Sequence, residues 1–187
     1  MFPPHESLKG QLLVASTELR DPNFARSVVL VFKHDDEGAI GLMLTRRSST
    51  PVKQVWDQVS ESPCETGAML DMGGPLQGPL MAIHPHEELR DLEVAPQIYF
   101  STQKENLEHL VAIKDGSGRF FVGYAGWGRG QLEQELKGGF WRQLPATAQE
   151  VFGEQDGLWA RLTRQITTAQ LVSTLGIKHV PKDPSLN

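Results

Sequence analysis

The chain of 187 residues is most informative at first for what it lacks. It has one cysteine, Cys64, so no internal disulfide can form, and that suits a reducing compartment. It has no surplus of base: 18 Lys and Arg stand against 23 Asp and Glu, a formal net charge of -5. Displacing counterions from nucleic acid needs such a surplus, so the balance argues against a general affinity for DNA or RNA. No window approaches the roughly 20 apolar residues of a membrane helix. The start, MFPPHESLKG, lacks the basic and apolar regions of a signal peptide. The expected location is therefore the cytoplasm. Also absent are a G-x-S-x-G elbow, a G-x-x-x-x-G-K-[ST] loop and a C-x-x-C pair. Cys64 reads as a structural or incidental thiol.

What is present describes an ordinary globular chain. Apolar residues make up 39% and charged residues 22%, and the length fits one domain. Segments 11–16, 27–33 and 39–45 are β-branched or apolar runs. HDDEG, residues 34–38, forms a hairpin turn between the last two. Residues 97–102 and 119–126 read as further strands. TPVKQVWDQVS reads as a helix with Thr50 as N-cap and Pro51 in the first turn. TQKENLEHLVAIKDG reads as a second, with a capping box from Thr102 to Glu105. Residues 130–137 form a third and DGLWARLTRQI a fourth, capped by Asp156. Trp56 and Trp159 belong to the core by their helical spacing. Strands that come both as hairpins and between helices predict an α+β fold with a mixed, mainly antiparallel sheet. The expected single domain spans 1–187, with flexible residues 1–8 and a flexible tail at 178–187.

One stretch stands out: GYAGWGRGQLEQEL, residues 123–136. Gly126, Gly128 and Gly130 alternate with Trp127 and Arg129 at the entry to a helix. Glycine lets backbone N–H groups approach an anion, and an arginine adds a charged fork. The alternative is steric, with glycines folding the chain around Tyr124 and Trp127. Either way, at least one of the three should take a positive φ. Arg129 sits where a cation opposes the helix dipole, which calls for something negative nearby. An internal carboxylate (Glu133, Asp21 or Asp71) and an external anion are the alternatives. Gly73-Gly74-Pro75 is a second glycine turn. His84 and His86 share a face only if their segment is a strand, and Pro85 argues for a loop. No metal and no cofactor is expected.

These pieces, in this order, resemble the YqgE/AlgH family of bacterial proteins. The resemblance rests on GQLLVAS, DPNFARSVVLVFKHDDEGAIGLMLTR, GGPL, AIHP and GYAGWGRGQLEQELKGGFW. It implies a single α+β domain whose sheet curls into a pseudo-barrel with helices outside, and it brings the label of transcriptional regulator. It implies no catalytic set. The chain departs from the family pattern in having Thr45-Arg46-Arg47 where Asn then Arg-Pro is usual, and no proline near Ser16–Glu18. The leading expectation is a non-enzymatic regulatory protein that binds a partner or a small anionic ligand. Its site is Arg26, Gly73, Gly74, Gly126, Trp127, Gly128, Arg129 and Gly130. The alternative is an enzyme of unassigned reaction using Arg26, His34 and Arg129. Direct DNA contact comes third.

Overall fold

A computed structural model of the chain describes residues 7–175. The expected tail at 178–187, and residues 1–6 of the expected flexible start, lie outside the described residues. Residues 7 and 8 are tied to the body: Ser7 Oγ donates to the His34 carbonyl, and the Leu8 N–H donates to His34 Nδ1 at 2.9 Å.

The strands are β1 (Gln11–Ala15), β2 (Val28–Asp35), β3 (Gly38–Met43), β4 (Arg47–Pro51), β5 (Met69–Met72), β6 (Met81–His84), β7 (Leu92–Ala95), β8 (Ile98–Ser101), β9 (Arg119–Val122), β10 (Ala125–Gly128) and β11 (Trp141–Pro145). The helices are α1 (Val52–Val59), α2 (Lys104–Ala112), α3 (Gln131–Lys137), α4 (Ala148–Phe152) and α5 (Leu158–Leu175). They build an α+β domain with two sheets. One is antiparallel, ordered β10-β3-β2-β1-β11. The other is ordered β4-β5-β9-β6-β8-β7 and contains one parallel pair, β5 with β9. The sheet is thus mixed and mainly antiparallel as expected. It is not one curled pseudo-barrel but two separate sheets packed face to face.

The packing explains the unbroken apolar run of β2. Leu12, Val14, Leu30 and Phe32 face Ile83, Phe100 and Phe121 of the other sheet in a central core, with Leu158 and Leu162 of α5. Their neighbours Leu13, Val29 and Val31 point the other way, against Leu132 of α3, Trp127 and Trp141. Behind the second sheet, Leu70, Ala82 and Phe120 pack on Val52 and Trp56 of α1 and Leu107, Leu110 and Val111 of α2. Successive strand residues point to opposite faces, and a strand covered on both faces needs apolar residues at every position. Trp56 is fully buried and donates its indole N–H to the Ser62 carbonyl. Trp159 is half-buried, with its indole N–H on the Ala15 carbonyl at 2.7 Å.

Several local expectations change. The expected single strand over 119–126 breaks at Gly123, whose φ of 72 hands the chain from the second sheet to the first. Thr50 and Pro51 belong to β4, and α1 begins at Val52 with Pro51 as its cap. No capping box forms at α2. Asp91, eleven residues upstream of Thr102, accepts the N–H groups of Thr102 and Gln103 instead. At α5 the first helical bond runs from Arg161 N–H to the Gly157 carbonyl, so Gly157 takes the place expected of Asp156.

The two sheets are joined at Gly73. Its carbonyl accepts the N–H of Met43 in the first sheet, and its N–H donates to Val122 in the second. A Cβ on Gly73 would stand 2.2 Å from the Gly123 carbonyl oxygen, and one on Gly74 2.1 Å from the Tyr124 carbonyl carbon. Backbone cannot yield as a side chain can. Gly74→Ala should therefore destabilise the fold by about 3 kcal/mol or more, on the scale of severe overpacking. Gly130→Ala, which meets nothing within 4 Å, should cost about 1 kcal/mol for its positive φ alone. Urea denaturation of the two variants checks the order.

Candidate functional site

The glycine corner is held by a relay of side chains. β10 ends at Gly128, Gly130 caps α3 with a φ of 70, and Gly126 and Gly128 keep negative φ. The Gly128 N–H donates to Gln131 Oε1 at 3.0 Å, and Gln131 Nε2 donates to Glu135 Oε1 at 2.9 Å. Glu135 Oε2 then accepts both indole N–H groups, Trp127 at 2.9 Å and Trp141 at 2.8 Å. Phe24 leans on both indoles, with ring centres 6.1 and 5.8 Å away. The helix thus places one carboxylate where two tryptophans from different strands need an acceptor. The glycines also have steric roles: a Cβ on Gly126 would strike Leu76, and β10 passes so close to Gly38 that a Cβ there would meet the Trp127 carbonyl.

The expected site residues are therefore only partly gathered. Gly126 and Trp127 line a cleft of about 230 Å3 with Phe24, Phe140 and Trp141. Gly73 and Gly74 abut the corner's strand by backbone contact, at the join between the sheets. Arg26 adopts a φ of 57 and lays its guanidinium over Trp159, 5.8 Å from the ring centre. Arg129 is exposed and makes no hydrogen bond or ion pair among the described residues. The three carboxylates considered for it are engaged elsewhere. Glu133 meets His34 at 2.7 Å, Asp21 Oδ1 accepts the Asn23 N–H, and Asp71 pairs with Arg119.

The histidines have structural roles. His34 Nδ1 accepts the Leu8 N–H, so the ring proton resides on Nε2 and is donated to Glu133. His84 is wholly buried; its Nδ1 accepts the His86 N–H at 3.3 Å, so Nε2 donates to Ser101 Oγ at 2.9 Å. The Ser101 hydroxyl in turn donates to the Leu89 carbonyl. A histidine that donates to a serine cannot take its proton, so this pair has the wrong polarity for a nucleophilic serine. Burial holds the His84 imidazole down to a pKa of about 4, with nearby His86 acting in the same direction. Among the described residues no group of three or more metal-ligating side chains occurs.

Sequence reasoning missed one constellation. Asp71 of β5 and Arg119 of β9, only 2% and 8% exposed, form an ion pair at 2.8 Å. Arg119 directs Nε and Nη2 to the same oxygen, Asp71 Oδ2, and bonds the Leu44 and Val151 carbonyls with Nη2 and Nη1. Asp71 Oδ1 is buried with no hydrogen-bond partner among the described residues, and Arg47 Nε stands 4.0 Å from it. Burial pushes the Asp71 carboxyl up, and Arg119 opposes that shift. Above the pair lies a cleft of about 390 Å3. The available signal was a charged residue in each of two otherwise apolar strands, MLDM and RFFV.

Two measurements test these networks. Glu135→Ala should cost roughly 2–4 kcal/mol, since it strands two partly buried indole donors at about 1–3 kcal/mol each. Glu135→Gln should lose less, and tryptophan fluorescence should report both. For His84 the folded pKa lies below the ordinary 6.5, so its neutral form stabilises the fold fully above pH 6.5. That contribution, on the order of 3 kcal/mol, is lost as pH falls from 6.5 to 4. His84→Gln should flatten this part of the urea-measured profile relative to the parent.

Comparison with known proteins places the chain. The AlgH-like family model matches residues 12–170. A UPF0301 protein of Chlorobaculum tepidum is 37% identical over 165 residues, covering 83% of this chain and 84% of its own. One from Thermobifida fusca is 37% identical over 197 residues, covering 97% and 96%. The solution structure of AlgH from Pseudomonas aeruginosa has a TM-score of 0.71 at 25% identity, over 98% of this chain and all of that one. The crystal structure of DIP2367 from Corynebacterium diphtheriae has a TM-score of 0.70 at 27% identity, over 88% and 90%. With the family's pattern running through both sheets and most of the helices, this chain belongs to the AlgH-like family.

Proposed function

We propose that the protein is a non-enzymatic, cytoplasmic regulatory protein that binds a small phosphate- or carboxylate-bearing ligand at the Gly126–Gly130 corner. Arg129 is the contacting cation. The observation that carries this reading is an exposed guanidinium with no partner among the described residues, mounted on a corner that the Gln131–Glu135 relay immobilises. Its placement at the start of α3 opposes the helix dipole, so the fold gains nothing from its charge. Arg26 adds a second guanidinium on the segment that Phe24 fastens to Trp127. Gly73 and Gly74 serve the site by fixing the strand that leads into it. The neighbouring cleft, with its aromatic wall, takes the body of the ligand. Binding without chemistry is favoured over catalysis because His34 and His84 each donate their ring proton within the fold.

The test is a titration of the 15N-labelled protein with inorganic phosphate and with citrate. The amides of residues 126–131 should shift in the parent. Arg129→Ala should abolish the shifts while changing stability by less than about 1 kcal/mol, as for an exposed charge. Equal shifts in parent and variant, or none in the parent, would overturn the proposal.

A further inference from the structure

The cleft over the Asp71–Arg119 pair is a second place built to receive something, and it shares no residue with the corner. Two of its lining residues each carry a buried oxygen acceptor. One is Asp71 Oδ1. The other is Gln155 Oε1, also without a partner among the described residues, because Gln155 uses its amide nitrogen on the Glu150, Val151 and Gly153 carbonyls. Buried acceptors are normally paired, and each one left bare costs free energy. Two in one cleft call for a group with two N–H donors. A cation is disfavoured there, since Arg119 already neutralises Asp71 and Arg47 adds a further positive charge. A neutral amino group satisfies both acceptors without adding charge.

The mouth and walls narrow the choice. Arg47 is 65% exposed at the mouth, held to Asp71 only at 4.0 Å, and available to an anion. Lys114 is engaged by Glu65 at 3.0 Å, so it contributes less. Asp115 Oδ1 is turned to its own loop, where it accepts the Ser117 N–H. Met69 and Phe152 offer apolar surface to a flat ring. Gly67 completes the wall. It has no positive φ, and a Cβ there would meet nothing within 4 Å. Neither backbone conformation nor packing within the fold requires glycine at that position, and its bare backbone leaves room for a ligand against the wall.

We infer that this cleft binds an amino-substituted heterocycle carrying an anionic arm, with its amino group on Asp71 Oδ1 and Gln155 Oε1 and its phosphate on Arg47. The volume, about 390 Å3, is in the range of small-molecule sites. Adenosine monophosphate is the probe. Inosine monophosphate is its control, because it replaces the amino donor with a carbonyl acceptor and leaves the phosphate unchanged.

The experiment is isothermal titration of the full chain with both nucleotides, with 15N NMR to locate the contact. Adenosine monophosphate should bind and shift the amides of Gly67, Gly116 and Gly118. Inosine monophosphate should bind at least tenfold more weakly. Gly67→Val should fold normally and lose binding more than tenfold; Arg47→Ala should weaken it about tenfold. Arg129→Ala should leave it unchanged, which separates this site from the corner. The inference fails if adenosine monophosphate gives no shift at 5 mM. It also fails if the two nucleotides bind equally, if inorganic phosphate alone reproduces the shifts, or if a folded Gly67→Val binds as the parent does.

Discussion

One guanidinium ties the layers together. Arg119 begins β9, yet its guanidinium N–H groups make four bonds that reach β5 through Asp71, the end of the first sheet through the Leu44 carbonyl, and α4 through the Val151 carbonyl. Its ring-facing side also lies over Phe121, 5.2 Å from the ring centre. A buried ion pair of this kind adds little net stability compared with well-packed apolar residues. What it does is fix geometry. Arginine's planar fork can meet one carboxylate and two carbonyls from three elements only when those elements stand in one arrangement. The register between the sheets and the seat of α4 follow from that, and so does the cleft above the pair.

The backbone join at Gly73 and Gly74 complements this polar tie. There the sheets approach so closely that no side chain fits between them, and hydrogen bonds run from one residue to both. The glycine corner is a continuation of the same design. Gly123 breaks the strand, β10 pairs with β3, and Gly38 lets the Trp127 carbonyl pass within reach. The large aromatics then fill the space outside the first sheet. Glu135 supplies the acceptor that burying two indoles demands.

Much of this was legible in the residues. The β2–β3 hairpin, the buried stripe of α1 and the helix after the glycine corner follow from local pattern, since hydrophobic period and turn chemistry act over a few neighbours. The family resemblance found the right relatives for the same reason that its motifs are dense in glycine and aromatics at fixed spacing. What local pattern could not supply was anything decided at long range. Asp91 caps α2 from another element, and no residue near Thr102 announces it. The split of residues 119–128 between two sheets depends on where Gly74 and Leu76 lie. Arg119 and Asp71, 48 residues apart, each look like an isolated charge in an apolar strand until the parallel pairing of β5 with β9 brings them together. The single-barrel expectation fails likewise, because sheet closure is a property of all the pairings at once.

The edge pairing of β1 with β11 carries a further consequence. Gln11 lies opposite Pro145, and Trp159 of α5 donates to Ala15, a contact spanning 144 residues. The first strand is thus flanked on one side by its sequence neighbour β2 and on the other by segments synthesised much later. During translation β1 and β2 can pair early, but the far edge of β1 stays an open row of N–H and C=O groups until β11 has emerged. Open edges are where chains associate wrongly. A sheet that must wait for its final strand, closing a loop of well over a hundred residues, belongs to the slow end of folding rates. The time between those two events is when the nascent protein is most exposed to aggregation and to chaperone capture.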